Sequence, residues 1–130
     1  MKILHLSTMD FARAGQVYDG KFNMDKLLQQ NICQQAVFYR RALFGKLGKY
    51  NLRYPVCADW EMNMRFFART KVLYLDLIVA RFRGGGLSSM DNYFRDPIYK
   101  DIHFLRKKYL GRIDYIAWIK DCIRRILHKL

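Results

Sequence analysis

Residues 2–7, KILHLS, form a short apolar run that predicts a buried strand, and the TMDFARAG after it carries turn-forming Asp10 and Gly15 with little periodicity. From Asn23, NMDKLLQQ predicts a short helix or turn capped by Asn23. In ICQQAVFYRR, the run Ala36, Val37, Phe38, Tyr39 has strand propensity. ALFGKLG reads as a short helix stopped at Gly48 in a left-handed cap, with Pro55 marking the loop beyond. DWEMNMRFFAR places Asp59 at a helix start, with Trp60, Met64 and Phe67 at i, i+4 and i+7 on one face. KVLYLDLIVARFR is too apolar and too rich in Val, Ile, Leu and Tyr for a surface helix. It predicts one or two strands broken near Asp76, ending in the loop GGGLSS.

The character changes after residue 97. IYKDIHFLRKKYL and, beyond Gly111, RIDYIAWIKDCIRRILHKL both have helical spacing. In the second, Ile113, Ile116, Ile123, Ile126, Leu127 and Leu130 form an apolar stripe, while Lys120, Arg124, Arg125 and Lys129 carry the polar side. The chain therefore divides into an N-terminal strand and leader (1–22), a central α/β region (23–97) and a basic amphipathic helical tail (98–130). It contains neither internal repeats nor a low-complexity tract.

A chain of 130 residues makes one domain with a modest core. Hydrophobic and aromatic fractions of 52% and 15% argue against disorder and leave room for an apolar surface. With 24 Lys and Arg against 11 Asp and Glu, the net charge of +13 favours a polyanionic partner: nucleic acid, an anionic membrane or a phosphate-bearing substrate. Cys33, Cys57 and Cys122 lie far apart, without a C-x-x-C pair or clustered His, so neither a zinc site nor a disulfide framework is indicated and a reducing cytoplasm fits. No run approaches the roughly 18–20 apolar residues of a membrane span, nor does the N-terminus carry the apolar region of a signal peptide. The expectation is a chain that stays soluble or lies on the inner face of the membrane.

The succession NICQQAVFYRRALFGKLGKYN, ADWEMNMRFF and KVLYLDLIVARFRGGGLSS is similar in order and spacing to the acceptor-side, C-terminal half of family 2 glycosyltransferases of the GT-A fold, over about residues 18–90. The first fifteen residues look instead like the opening of GT-B retaining enzymes, with a plain strand as the alternative. The resemblance implies an α/β fold: a partial GT-A-like domain with a small mixed sheet, followed by the helical tail. It also implies inverting transfer of a sugar from a nucleotide-sugar donor to a hydroxyl of a glycan or lipid-linked acceptor. Asp59 matches the family's general base, which must lie within hydrogen-bond reach of the acceptor hydroxyl. A helix N-terminus would help keep it ionised. The alternative is that Asp59 caps its helix.

Glu61 pairs with Asp59 at i, i+2, but this is not the family's metal-binding D-x-D, which comes much earlier in relatives and which nothing before Ile32 supplies. Divalent metal, Mg or Mn, is expected only if a donor-binding half completes the chain; alone it should hold none, and no metal ligand is assigned. Trp60 and Glu61 of the acidic motif are candidate substrate contacts. Gln34 and Gln35 stand where relatives often have His-Gln near the acceptor pocket, with a solvated strand edge as the alternative. Arg83, Gly84, Gly85, Gly86, Leu87, Ser88 and Ser89 match the segment that closes over the donor phosphates. Arg83 and the serines would donate hydrogen bonds there, and glycine occupies the place of a metal-binding His in many relatives. A flexible turn explains the same loop. Arg40 and Arg41 could steer phosphate or face solvent.

In the tail, Trp118 beside the apolar stripe suits an anionic bilayer, where lipid-linked acceptors would be met, while packing on the domain is the competing expectation. Nucleic acid is disfavoured as a partner, because the chain has no zinc finger, RNP signature or GXXG loop. Three functions stay open: a glycosyltransferase domain separated from its donor-binding half, a noncatalytic accessory module, and a basic membrane or nucleic-acid binder.

Overall fold

Strand β1 (Lys2–Asp10) organises the sheet in the computed structural model, which describes residues 2–10, 16–18, 20–82, 94–111, 119 and 123. On one edge β1 pairs antiparallel with two short strands, β2 (Gln16–Tyr18) and β3 (Val37–Tyr39). On its other edge runs β4 (Lys71–Phe82), parallel to it and twelve residues long. The sheet is thus small and mixed, and strand β1 continues through residues 8–10, which the sequence pattern suggests as a turn. The expected break near Asp76 takes the form of a register shift. His5 pairs with Tyr74 but Ser7 with Ile78, so β4 bulges past Asp76 without ending.

Asn23 caps α1 (Met24–Leu27), its Oδ1 accepting from the Lys26 N–H at 2.8 Å, as expected of an Asn before a short helix. A 3-10 turn, Gln34–Ala36, then leads into β3. Helix α2 (Ala42–Leu47) ends at Gly48, whose φ is positive, 88°, as anticipated; its ψ of 166° is extended, so the chain leaves the helix at once without a left-handed helical turn. Pro55 lies in the loop before α3 (Ala58–Phe67).

Helix α3 is the centre of the molecule. Every residue from Trp60 to Phe66 is buried, whereas the sequence pattern predicts one buried face. Polar positions tolerate burial here because each is partnered. Arg65 forks onto Glu61 at i, i+4 and also donates to the carbonyls of Leu47, Gly48 (3.0 Å) and Lys49 (2.7 Å), and Asn63 bonds to Asn31. Trp60 directs its indole N–H to the Leu27 carbonyl at 2.5 Å. Around α3 pack Leu27, Leu28, Ile32 and Leu43, with Ile98, Ile102 and Leu105 from α4 (Ile98–Leu110). Tyr39, Phe44 and Phe66 meet edge to face at centroid distances of 5.5–5.8 Å.

Buried Asp96 ties the loop before α3 to the start of α4. Its Oδ2 accepts from the N–H groups of Val56 (2.8 Å) and Cys57 (3.0 Å), and its Oδ1 from Ile98 N–H (2.9 Å). Gly111 ends α4 in the left-handed region, φ 67° and ψ 5°. The first half of the tail, through α4, therefore lays its apolar stripe on the core. The second half lies outside the described residues apart from Ile119 and Ile123, both helical and exposed. Among the described residues no helix is long and apolar enough to cross a membrane.

Candidate active site around Asp59

Asp59 is the second residue of α3, and the helix start is set by Cys57, which makes no side-chain cap. The Asp59 carboxylate does not reach forward to cap the helix in the usual way; its Oδ1 accepts from the adjacent Trp60 N–H at 2.8 Å. Asn31 supplies the side-chain hydrogen bond to this carboxylate. The orientation of Asn31 is fixed from behind, since its Oδ1 accepts from Asn63 Nδ2 at 3.1 Å and its amide nitrogen is thereby left to donate to Asp59. Asn63 Oδ1 in turn accepts from the Tyr39 hydroxyl. A chain of side chains, Tyr39 to Asn63 to Asn31 to Asp59, thus runs from β3 through the buried helix to the carboxylate.

Two further polar groups flank this chain. Gln34 Oε1 lies 3.2 Å from the Tyr39 hydroxyl, and Gln34 Nε2 donates to the Tyr50 hydroxyl at 3.2 Å. The single Tyr39 proton cannot serve both Gln34 and Asn63, and the Asn63 contact is the closer. Burial pushes the Tyr39 hydroxyl far above its ordinary range, with its coupling to Tyr50 and the Asp59 charge adding to the shift, so it stays a donor. Tyr50 is raised too, by burial and then by the Asp59 charge, and its ring remains partly exposed.

Burial is also the largest influence on Asp59, raising its pKa; the hydrogen bonds from Asn31 and from the Trp60 and Asp59 N–H groups pull it back, and the Asp96 charge raises it slightly. The result is a carboxylate that is partly removed from water and held by donors, with its basicity increased. Cys57, next to it in the loop, is pushed up to about 12 by burial and by the charges of Asp96 and Asp59, which keeps its thiol protonated and unreactive.

Glu61 faces away from this cluster. Its carboxylate receives Arg65 and the Tyr109 hydroxyl (2.7 Å) and lines an open cavity of about 400 Å³ together with Arg53, Tyr54, Asp101, Phe104 and Lys108. Asp59 does not line that cavity.

Comparison with known proteins gives the chain a biochemical neighbourhood. It is similar to glycosyltransferases. Over 76 residues it is 49% identical to a curated protein of Mycobacterium bovis (strain BCG / Pasteur 1173P2) named "PGL/p-HBAD biosynthesis glycosyltransferase", a match that covers 55% of this chain. A protein of the same name from Mycobacterium tuberculosis (strain ATCC 25177 / H37Ra) matches equally, at 49% over 76 residues. The match spans only 30% of the length of either relative. No family model matches the chain, and no solved structure matches it.

Of the residues singled out from the sequence for a glycosyltransferase, the structure brings Gln34 and Asp59 into one cluster. Gln35 is exposed and outside it. Trp60 sits in the core with its N–H taken by Leu27, and Glu61 lies in the ion pair on the cavity side. Arg83, Gly84, Gly85, Gly86, Ser88 and Ser89 lie outside the described residues, as does Trp118. Sequence reading missed Asn31, Tyr39, Tyr50 and Asn63. The one local signal was the polar Asn63 in the middle of an apolar helix run, which asks for a buried partner.

Proposed function

We propose that this chain forms the acceptor-side part of an inverting family 2 glycosyltransferase of the GT-A type, with Asp59 as general base. The observation that carries the reading is the Asp59 carboxylate itself, made more basic by burial yet held in place by Asn31, beside the polar side chains of Gln34 and Tyr50. In the transfer, Asp59 takes the proton of the acceptor hydroxyl while that oxygen forms a bond to the anomeric carbon of the sugar. The bond from that carbon to the nucleoside diphosphate breaks, and its electron pair leaves with the phosphate oxygen. Gln34 and the Tyr50 hydroxyl, which bond to each other, would hydrogen-bond neighbouring acceptor hydroxyls. The 49% identity to proteins named glycosyltransferases supports the reaction class, and the order of the sequence motifs supports the family.

A divalent metal would act on the donor diphosphate in such an enzyme. Among the described residues no three of His, Cys, Asp and Glu come together, so these residues do not fit a metal site. With 30% of the relatives' length matched, nucleotide-sugar binding is assigned to a counterpart of the remainder. The test is a chimera in which this full chain replaces the 76-residue matching segment of the M. tuberculosis relative. Sugar transfer by the chimera is the expected result, and a folded chimera without transfer contradicts the proposal.

A further inference from the structure

Strand β4 exposes what a sheet face ordinarily hides. Leu73, Leu75, Leu77, Ile78 and Val79 are each 39–57% exposed, and so is Phe38 of β3 at 55%. Phe38 and Leu73 both register with position 4 of β1, which places them in one cross-strand row on the same face of the sheet. Leu75 continues that face at the two-residue period of a strand. Beyond the bulge at Asp76, three consecutive apolar residues, Leu77, Ile78 and Val79, are exposed together, so among the described residues neither side of this half of β4 is fully covered. A strand with one solvated face normally alternates apolar with polar residues so that the solvated face is polar, and a contiguous apolar patch of this kind marks a contact surface.

Two observations identify the occupant. The curated relatives have 70% of their length outside the match, so in them the matched segment is accompanied by more than twice its own length of other polypeptide. The net charge of +13, with Lys71 and Arg81 exposed on the strand itself, sets like charges against one another in any self-pairing through β4. We propose that the apolar face of β4, extended by Phe38, is the docking surface for a polypeptide equivalent to the unmatched part of those relatives, and not for a second copy of this chain. The proposal rests on the reading of this chain as the acceptor-side part of a larger enzyme. Docking there covers the exposed leucines and leaves the Asp59 cluster unaltered, since none of its residues belongs to the patch.

The experiment co-expresses this full chain with the larger unmatched segment of the M. tuberculosis relative and measures association by size-exclusion chromatography and calorimetry. A one-to-one complex is expected. Leu75→Glu and Leu77→Glu, each at an exposed position, should weaken it about ten-fold or more with unchanged circular dichroism. Leu52→Glu, at an 88% exposed loop residue away from the sheet, should leave it intact. Absence of a complex overturns the proposal. So does a concentration-dependent homodimer that Leu75→Glu disperses, because the occupant would then be a second copy. Asp59→Asn should bind as the wild type does. A complex that forms but does not transfer sugar therefore leaves the docking surface standing while removing the functional reading.

Discussion

At Asp59, burial and hydrogen bonding pull in opposite directions, and burial wins. The folded chain accordingly holds this proton to a higher pH than the unfolded chain, where the carboxyl titrates near 3.8. Between those two values the native state binds more protons than the unfolded state, so this group makes stability fall as pH rises through the window and remain lower above it. Asp59→Asn, which removes the buried charge, should therefore melt higher than wild type at pH 7, with the difference closing below about pH 4. Thermal melts across pH 3–7 check this, and a variant that melts lower at neutral pH contradicts the balance. Asn31 provides the largest opposing influence on Asp59. Asn31→Ala should raise the Asp59 pKa further, read from the carboxyl carbon by NMR titration. An unchanged value would show that Asn31 does not hold the carboxylate.

Among the elements, α3 depends most on its polar contacts. Arg65 binds both oxygens of Glu61 and the carbonyls that close α2, so Arg65→Met leaves a buried carboxylate without its ionic partner and strips donors from three backbone groups. The expected cost is about 3–5 kcal/mol in urea denaturation. A loss below roughly 1 kcal/mol, typical of an exposed ion pair, would contradict the clamp. Most of these elements were legible in the sequence. The Asn23 cap, the strand at Val37–Tyr39, the stop at Gly48, the division of the tail at Gly111 and the helix opening beside Asp59 all follow from local chemistry. What local chemistry could not show is the union of Asn31, Tyr39 and Asn63 behind Asp59. Asn31 reads as a turn residue and Tyr39 as a strand residue, and their contacts with Asn63 cross 32 and 24 positions of chain. The burial of every residue from Trp60 to Phe66 was hidden for the same reason, because an i, i+4 pair such as Glu61 and Arg65 is ordinarily solvated and only the α2 carbonyls placed around it show otherwise.

Across the whole molecule, β4 carries exposed Lys71 and Arg81 beside its exposed leucines, and the basic residues of the tail are a second region of positive charge. Helix α4 buries Ile98, Ile102 and Leu105 against the core, so its apolar stripe is not free for a membrane, and the stripe expected in residues 112–130 is the candidate for that contact. From Lys100 to Leu130 nine Lys or Arg stand against three Asp, a net of +6, of which residues 112–130 supply +3 (five Lys or Arg against two Asp), and each basic group near an anionic surface contributes about 1 kcal/mol. The chain should co-sediment with anionic vesicles and little with neutral ones, and truncation after Gly111 should release it. Undiminished binding by the truncated chain would place the contact elsewhere. The central claim is that Asp59 removes the acceptor proton. It is tested most directly by the transfer rate of Asp59→Asn in the chimera that carries this chain in place of the matching segment of the M. tuberculosis relative. The account predicts a fall of roughly 10² to 10⁴ in turnover with the fold intact, and wild-type turnover by a well-folded Asp59→Asn chimera would contradict it.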